Sequence, residues 1–150
     1  QFQGGGTEQL EDLLDLAERV PEANYILAHF VGFHTDNPPV VEGYLDQIDR
    51  RFGSYPENFW AEIRDFNSPG VPVALERIPH NRLIAGTDWV TRVGPPYLPY
   101  GMVFGSSPED NPYPPSNENM TQFLLDAGCA EGDLDAIAFG NAAELLGIEA

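Results

Sequence analysis

The apolar residues of this chain change their period in a fixed order, and that order limits the fold more than any other feature. From Thr7, which reads as an N-cap, Leu10, Leu13, Leu14, Ala17 and Val20 fall at helical spacing on one face, and Pro21 stops the pattern. Tyr25-Ile26-Leu27-Ala28-His29-Phe30 comes next as a nearly continuous apolar run, expected of a parallel strand buried on both faces. It ends in Gly32 and the polar group His34-Thr35-Asp36-Asn37. Pro38 and Pro39 open a second helix, with Val41, Tyr44, Leu45, Ile48 and Phe52 as its buried stripe and Gly53 at its end. In the extended segment Phe59 to Arg64, Ala61 and Ile63 share one face, and Trp60, Glu62 and Arg64 the other. A short helix over about Val73 to Ile78 leads through Pro79-His80-Asn81-Arg82 to a third strand, Leu83-Ile84-Ala85-Gly86.

Helix and strand in alternation predict an α/β fold, a parallel sheet with right-handed crossovers. Three strands with two open edges leave ladder groups and apolar faces uncovered, so further sheet is expected from elsewhere. The chain has 150 residues and reads as one domain, 1–150, short of the roughly 200 to 250 residues of a closed barrel. Within residues 94–115, Pro95, Pro96, Pro99, Pro108, Pro112, Pro114 and Pro115 predict an irregular loop that covers a site or an interface. The last part, 116–150, reads as two helices, about Glu118 to Ala127 and Leu134 to Leu146, with a break at Gly140.

Charge removes whole classes of partner. Twenty-four acids stand against seven bases, a net charge of −17, and a chain this acidic is repelled by a phosphate backbone. All seven bases are Arg and none is Lys, a composition like that of halophilic proteins, although a GC-rich genome also replaces Lys by Arg. Cys129 is the single cysteine, which excludes an internal disulfide and a Cys-based zinc site and fits a reducing cytoplasm. No stretch reaches the roughly 18 apolar residues of a membrane span. Gln1-Phe2-Gln3-Gly4-Gly5-Gly6 is neither a basic nor a secretory leader. A soluble, cytoplasmic protein with neither nucleic acid nor membrane as partner is expected.

The carboxyl ends of parallel strands face the ligand in open and closed sheets alike. The first strand brings His29 there, with His34 and Asp36 in its loop; the second brings Arg64, Asp65 and Asn67; the third brings Thr87 and Asp88. An imidazole moves protons near neutral pH, and a carboxylate holds a divalent cation or takes a proton from metal-bound water. Each residue also has a plainer use. Asp88 caps the next turn, His29 is a buried histidine bonded to backbone, and His34 and Asp36 belong to a polar loop. Arg64 and Asp65 read as structural, His80 as a surface residue, and Cys129 has no activating neighbour. Trp60, Trp89 and the loop aromatics read as core residues, with a pocket wall as the competing expectation for Trp89 because it directly follows Asp88. No strand precedes Gly4-Gly5-Gly6, so a phosphate loop fails its context there.

Asn81-Arg82-Leu83-Ile84-Ala85-Gly86-Thr87-Asp88-Trp89 resembles the eighth strand of the amidohydrolase-related metal-dependent hydrolases and decarboxylases, which are TIM barrels. Ile26-Leu27-Ala28-His29 with Gly32 is similar to that family's sixth strand, Asn58-Phe59-Trp60 takes the seventh place, and Gly140-Asn141-Ala142-Ala143-Glu144-Leu145-Leu146-Gly147-Ile148 resembles its closing helix. The resemblance implies a partial (β/α)8 barrel holding strands six to eight. It makes Asp88 a metal ligand or base for metal-bound water, His29 a catalytic acid/base, and a divalent metal, zinc, the cofactor. His34 and Trp89 become substrate contacts. The reaction implied is hydrolysis or non-oxidative decarboxylation of a small molecule.

The family's strand-one His-x-His or Glu-x-His pair and strand-five His have no counterpart, so a complementary chain or a second copy is expected to supply them. Two other readings compete: a non-catalytic half-barrel subunit or interaction module, and an independent flavodoxin-like α/β domain. A carboxylate-rich surface of this density should gain stability from dilute buffer to molar salt as self-repulsion is screened. Urea midpoints measured across that range check it, and a midpoint highest in dilute buffer rejects a halophile-like surface.

Overall fold

The structure is a computed structural model that describes residues 7–31, 37–86 and 120–148. Its helices are α1 (Thr7–Arg19), α2 (Pro38–Phe52), α3 (Val71–Arg77), α4 (Met120–Asp126) and α5 (Asn141–Leu146). Its strands are β1 (Tyr25–Val31), β2 (Phe59–Ile63) and β3 (Leu83–Ala85). α2 obeys its sequence signals closely. Asn37 is extended, proline occupies the first turn, and Gly53 ends the helix in the left-handed region at φ 79°, donating its N–H to the Asp49 carbonyl. α3 starts at Val71, two residues before the expected start, because Pro72 is tolerated in a first turn.

The three strands are parallel and ordered β1-β2-β3. An order that advances one way, with crossovers of one hand, puts both connecting helices on the same face. The core lies there: Tyr25, Leu27, Phe59, Ala61, Ile63 and Leu83 from the strands pack with Leu10, Leu14, Val41, Leu45, Ile48, Val71 and Ala74 from α1, α2 and α3. Phe59 anchors it, with ring centroids 5.5 Å from Tyr25, 5.6 Å from Phe52 and 6.2 Å from Tyr55. The expectation of a mixed α/β fold with a parallel sheet therefore holds.

The opposite face differs from the expectation that β1 is buried on both sides. Ile26 is 52% exposed, and Ala28 and Glu62 are half-buried, while Trp60 and Ile84 are covered. The reason is that α1, α2 and α3 cover one face only, so Ile26 and Ala28 on the other face of β1 have no helix of that layer above them. The Arg82 guanidinium lies 4.6 Å over the Trp60 ring.

Two arginines join successive helices on the outside. Arg51 of α2 donates to Asp15 and Glu18 of α1, and Arg77 of α3 donates to Asp46 and Asp49 of α2 at 2.8 and 2.6 Å. Each guanidinium meets two acids, which a single ammonium point charge does less well. Among the described residues no helix is long and apolar enough to cross a membrane.

The C-terminal part is clasped to the start of β3. The helix expected from Leu134 has a π-turn over Ala136–Gly140 in place of a break, and α5 continues directly from it. Asn141 is 4% exposed, and its Nδ2 donates to the carbonyls of His80 and Leu83, each at 2.7 Å. The reading of His80 as a surface residue is corrected: it is half-buried, with Nδ1 2.5 Å from Asp133 Oδ2 and Nε2 2.9 Å from the Leu75 carbonyl. The hydrogen bond to Asp133 raises its pKa above the usual imidazole value, burial opposes the shift, and the bond to Leu75 adds to it. The nearby Cys129 thiol is pushed up by burial first and the Asp133 carboxylate second, in keeping with an inert cysteine.

Asn141→Ala removes both bonds, and although the His80 carbonyl keeps the Leu83 N–H as donor, the buried Leu83 carbonyl loses the Asn141 donor; stability should fall by about 1–2 kcal/mol in urea unfolding, and a loss below about 0.5 kcal/mol would show that the clasp carries little. The His80 contribution is fully present below its unfolded pKa of about 6.5 and disappears as pH rises through its higher folded value. Stability of the wild-type chain should therefore fall relative to His80→Gln from mildly acidic to alkaline pH. Parallel curves for the two proteins would remove His80 from the pH response.

Candidate functional site

The carboxyl end of β1 is irregular at the position the sequence marks. Leu27 pairs with Ala61 and Val31 with Ile63, so four residues advance on β1 while two advance on β2. At the centre of this bulge His29 has φ 57°, and among the described residues it is the one non-glycine in the left-handed region. That conformation costs an ordinary L-residue on the order of 1–2 kcal/mol. Regular alternation would seat residue 29 on the core side with Leu27. Instead Phe30 and Val31 are both fully buried and His29 is half-buried. The plainer reading of His29 as a buried histidine is corrected to a half-buried one.

Glu62 of β2 lies beside this turn. Its Oε2 accepts the His29 backbone N–H at 2.8 Å. On its other side it occupies the space next to Gly86, the residue after β3: a Cβ at residue 86 would stand 1.8 Å from Glu62 Oε1 and 2.7 Å from its Cγ. Gly86 in turn donates its N–H to the Ile63 carbonyl at 3.0 Å, which fixes its distance from β2. One carboxylate thus spans the ends of all three strands. By alternation Glu62 falls on the Trp60 face with no evident role, because nothing in the residue pattern marks a two-residue bulge in the neighbouring strand.

Asp88, Trp89 and His34, like Thr87 and Asp36, lie outside the described residues. Arg64 is 3% exposed and extends the sheet by donating its N–H to the Val31 carbonyl at 2.9 Å. Asp65 accepts the Asn67 N–H at 3.1 Å in a local turn. A depression of about 540 Å³ lined by Gly43, Asp46, Gln47, Asp49 and Arg50 is formed by the outer side of α2, and its Asp46 and Asp49 are engaged by Arg77. The chemistry at the strand ends is of another kind.

Among the described residues no group of three or more His, Cys, Asp and Glu side chains is placed to hold a metal. An imidazole and a carboxylate are suitable zinc donors, but a catalytic zinc takes three protein ligands. The described residues therefore do not make a metal site by themselves.

His29→Asn should fold with near-native stability, since Asn tolerates the left-handed region, whereas His29→Val should lose about 1–2 kcal/mol beyond it. Urea unfolding separates the two, and equal stability would contradict the left-handed turn.

Compared with known protein families, curated proteins and solved structures, the chain finds no match.

Proposed function

We propose that this chain is the strand-six to strand-eight part of an amidohydrolase-like (β/α)8 barrel, and that with the missing strands it forms a metal-dependent hydrolase or non-oxidative decarboxylase acting on a small molecule. The observation that carries the reading is the one-way parallel order β1-β2-β3 with its helical core on one face. A barrel wall has that construction, helices outside and a second side-chain layer inside. The exposure of Ile26 on the other face fits a wall that awaits neighbours. A flavodoxin-like domain needs helices on both faces and a reversal of strand order, for which the described strands offer no support.

In this proposal His29, at the carboxyl end of its strand, transfers or holds a proton on the reacting group. Asp88 is the ligand this chain contributes to a divalent metal, zinc by donor chemistry, which would polarise substrate or water when bound. His34 and Trp89 contact the substrate. The remaining ligands come from a complementary chain or a second copy, and the cytoplasm is the proposed compartment. The second reading is a non-catalytic half-barrel subunit or interaction module, in keeping with the exposed Ile26 on the uncovered sheet face.

Metal analysis together with native mass spectrometry of the purified assembly separates the two. The enzyme reading expects an oligomer or heteromer with stoichiometric zinc, lost in Asp88→Asn while the assembly persists. A stable assembly without metal supports the subunit reading, and a metal-free monomer sinks both.

A further inference from the structure

The His29 turn has a structural problem that one side chain solves. Tyr25 donates its N–H to the Asn58 carbonyl, and a regular ladder continued from there would carry the His29 N–H to the main-chain carbonyl of Glu62. The bulge removes that partner, and a half-buried amide without an acceptor is unfavourable. The Glu62 side chain accepts it instead, at 2.8 Å. The carboxylate reaches this position through space that exists because residue 86 is glycine. Any Cβ there overlaps Oε1 at 1.8 Å and Cδ at 2.5 Å, so the side chain would have to leave. Gly86 does not adopt a positive φ, so the requirement for glycine comes from close approach.

We propose that Glu62 is the positioning residue for His29: seated against Gly86, its carboxylate holds the left-handed turn that takes the histidine out of the core-facing alternation and sets it at the open end of the sheet. The value of this placement for catalysis rests on the proposed function, while the coupling of residues 29, 62 and 86 does not. Three observations on three strand ends support it: the accepted N–H on β1, the acid on β2 and the space after β3. A carboxylate of merely solubilising use would have no reason to occupy the volume of a neighbouring side chain.

The test is a double-mutant cycle on the full chain, read by hydrogen exchange of the His29 amide and by the His29 imidazole resonances. Glu62→Ala and Gly86→Ala should each speed exchange of that amide on the order of tenfold or more, as expected for loss of a charge-assisted hydrogen bond. Both should move the imidazole signals in the same direction. The double variant should be no faster than Glu62→Ala alone, since Gly86→Ala acts by displacing Glu62. Glu62→Gln, which keeps an oxygen acceptor of the same reach, should retain most of the protection and the native imidazole signals. That rescue is the outcome a general loss of stability would not produce.

Additive effects in the double variant, or an unchanged His29 amide in Glu62→Ala, would overturn the proposal. Should Gly86→Ala not fold, the contrast between Glu62→Gln and Glu62→Ala decides it, with equal exchange in the two counting against it. These readouts need no metal. A coupled triad in a metal-free assembly would keep the positioning role and reject the enzyme, whereas stoichiometric zinc with an uncoupled triad would do the reverse.

Discussion

Burial of one face of the sheet under one layer of helices is the constraint on which the rest of the molecule depends. Tyr25, Leu27, Phe59, Ala61, Ile63 and Leu83 give up water together because β1, β2 and β3 run parallel in register and α1, α2 and α3 lie on the same side. Registry results from this burial, since a slip of one residue would exchange Ala61 for Glu62 and Leu27 for Ala28. The same burial leaves the second face underfilled, with Ile26 open and Trp60 shielded in part by Arg82.

Against that regular background the end of β1 departs from the ladder. A bulge that removes a ladder bond and places a histidine in the left-handed region is unfavourable locally, so it persists because neighbours over-determine it. Phe30 and Val31 gain full burial on one side, and Glu62 restores the lost hydrogen bond on the other. The strain therefore sits at the end of the sheet where parallel α/β proteins carry their ligands.

Charge is handled by separate means. An excess of 17 negative charges makes the compact state repel itself, and the arginines answer it locally. Arg51 and Arg77 each bring two carboxylates of adjacent helices together, at sites exposed enough that solvent screening keeps their contribution small. The firmer join is more sheltered: Asn141 satisfies two carbonyls at the start of β3, and His80 bridges Asp133 and the Leu75 carbonyl. The C-terminal helices are thereby attached at the amino end of β3, leaving its carboxyl end to Gly86.

Much of the fold was legible because local chemistry speaks for it. The prolines and Gly53 delimit α2, the helical stripe of Leu10, Leu14 and Ala17 predicts a buried face, and Ala61 with Ile63 points to the core side of β2. His29 was legible as a strand-end residue because parallel strands present that end to ligands. The role of Glu62 and the clasp of Asn141 and Asp133 on His80 were not, since each depends on residues 24 to 61 positions apart meeting in space. Sequence alone determined the order of helices and strands, the acid excess and which residue types can reach the strand ends, because periodicity, backbone restriction and charge are properties of neighbours in the chain. Only the tertiary structure decided that His29 leaves the alternation, that Glu62 supports it and that Gly86 makes room, because a bulge and a shared volume exist only where separate strands come into contact.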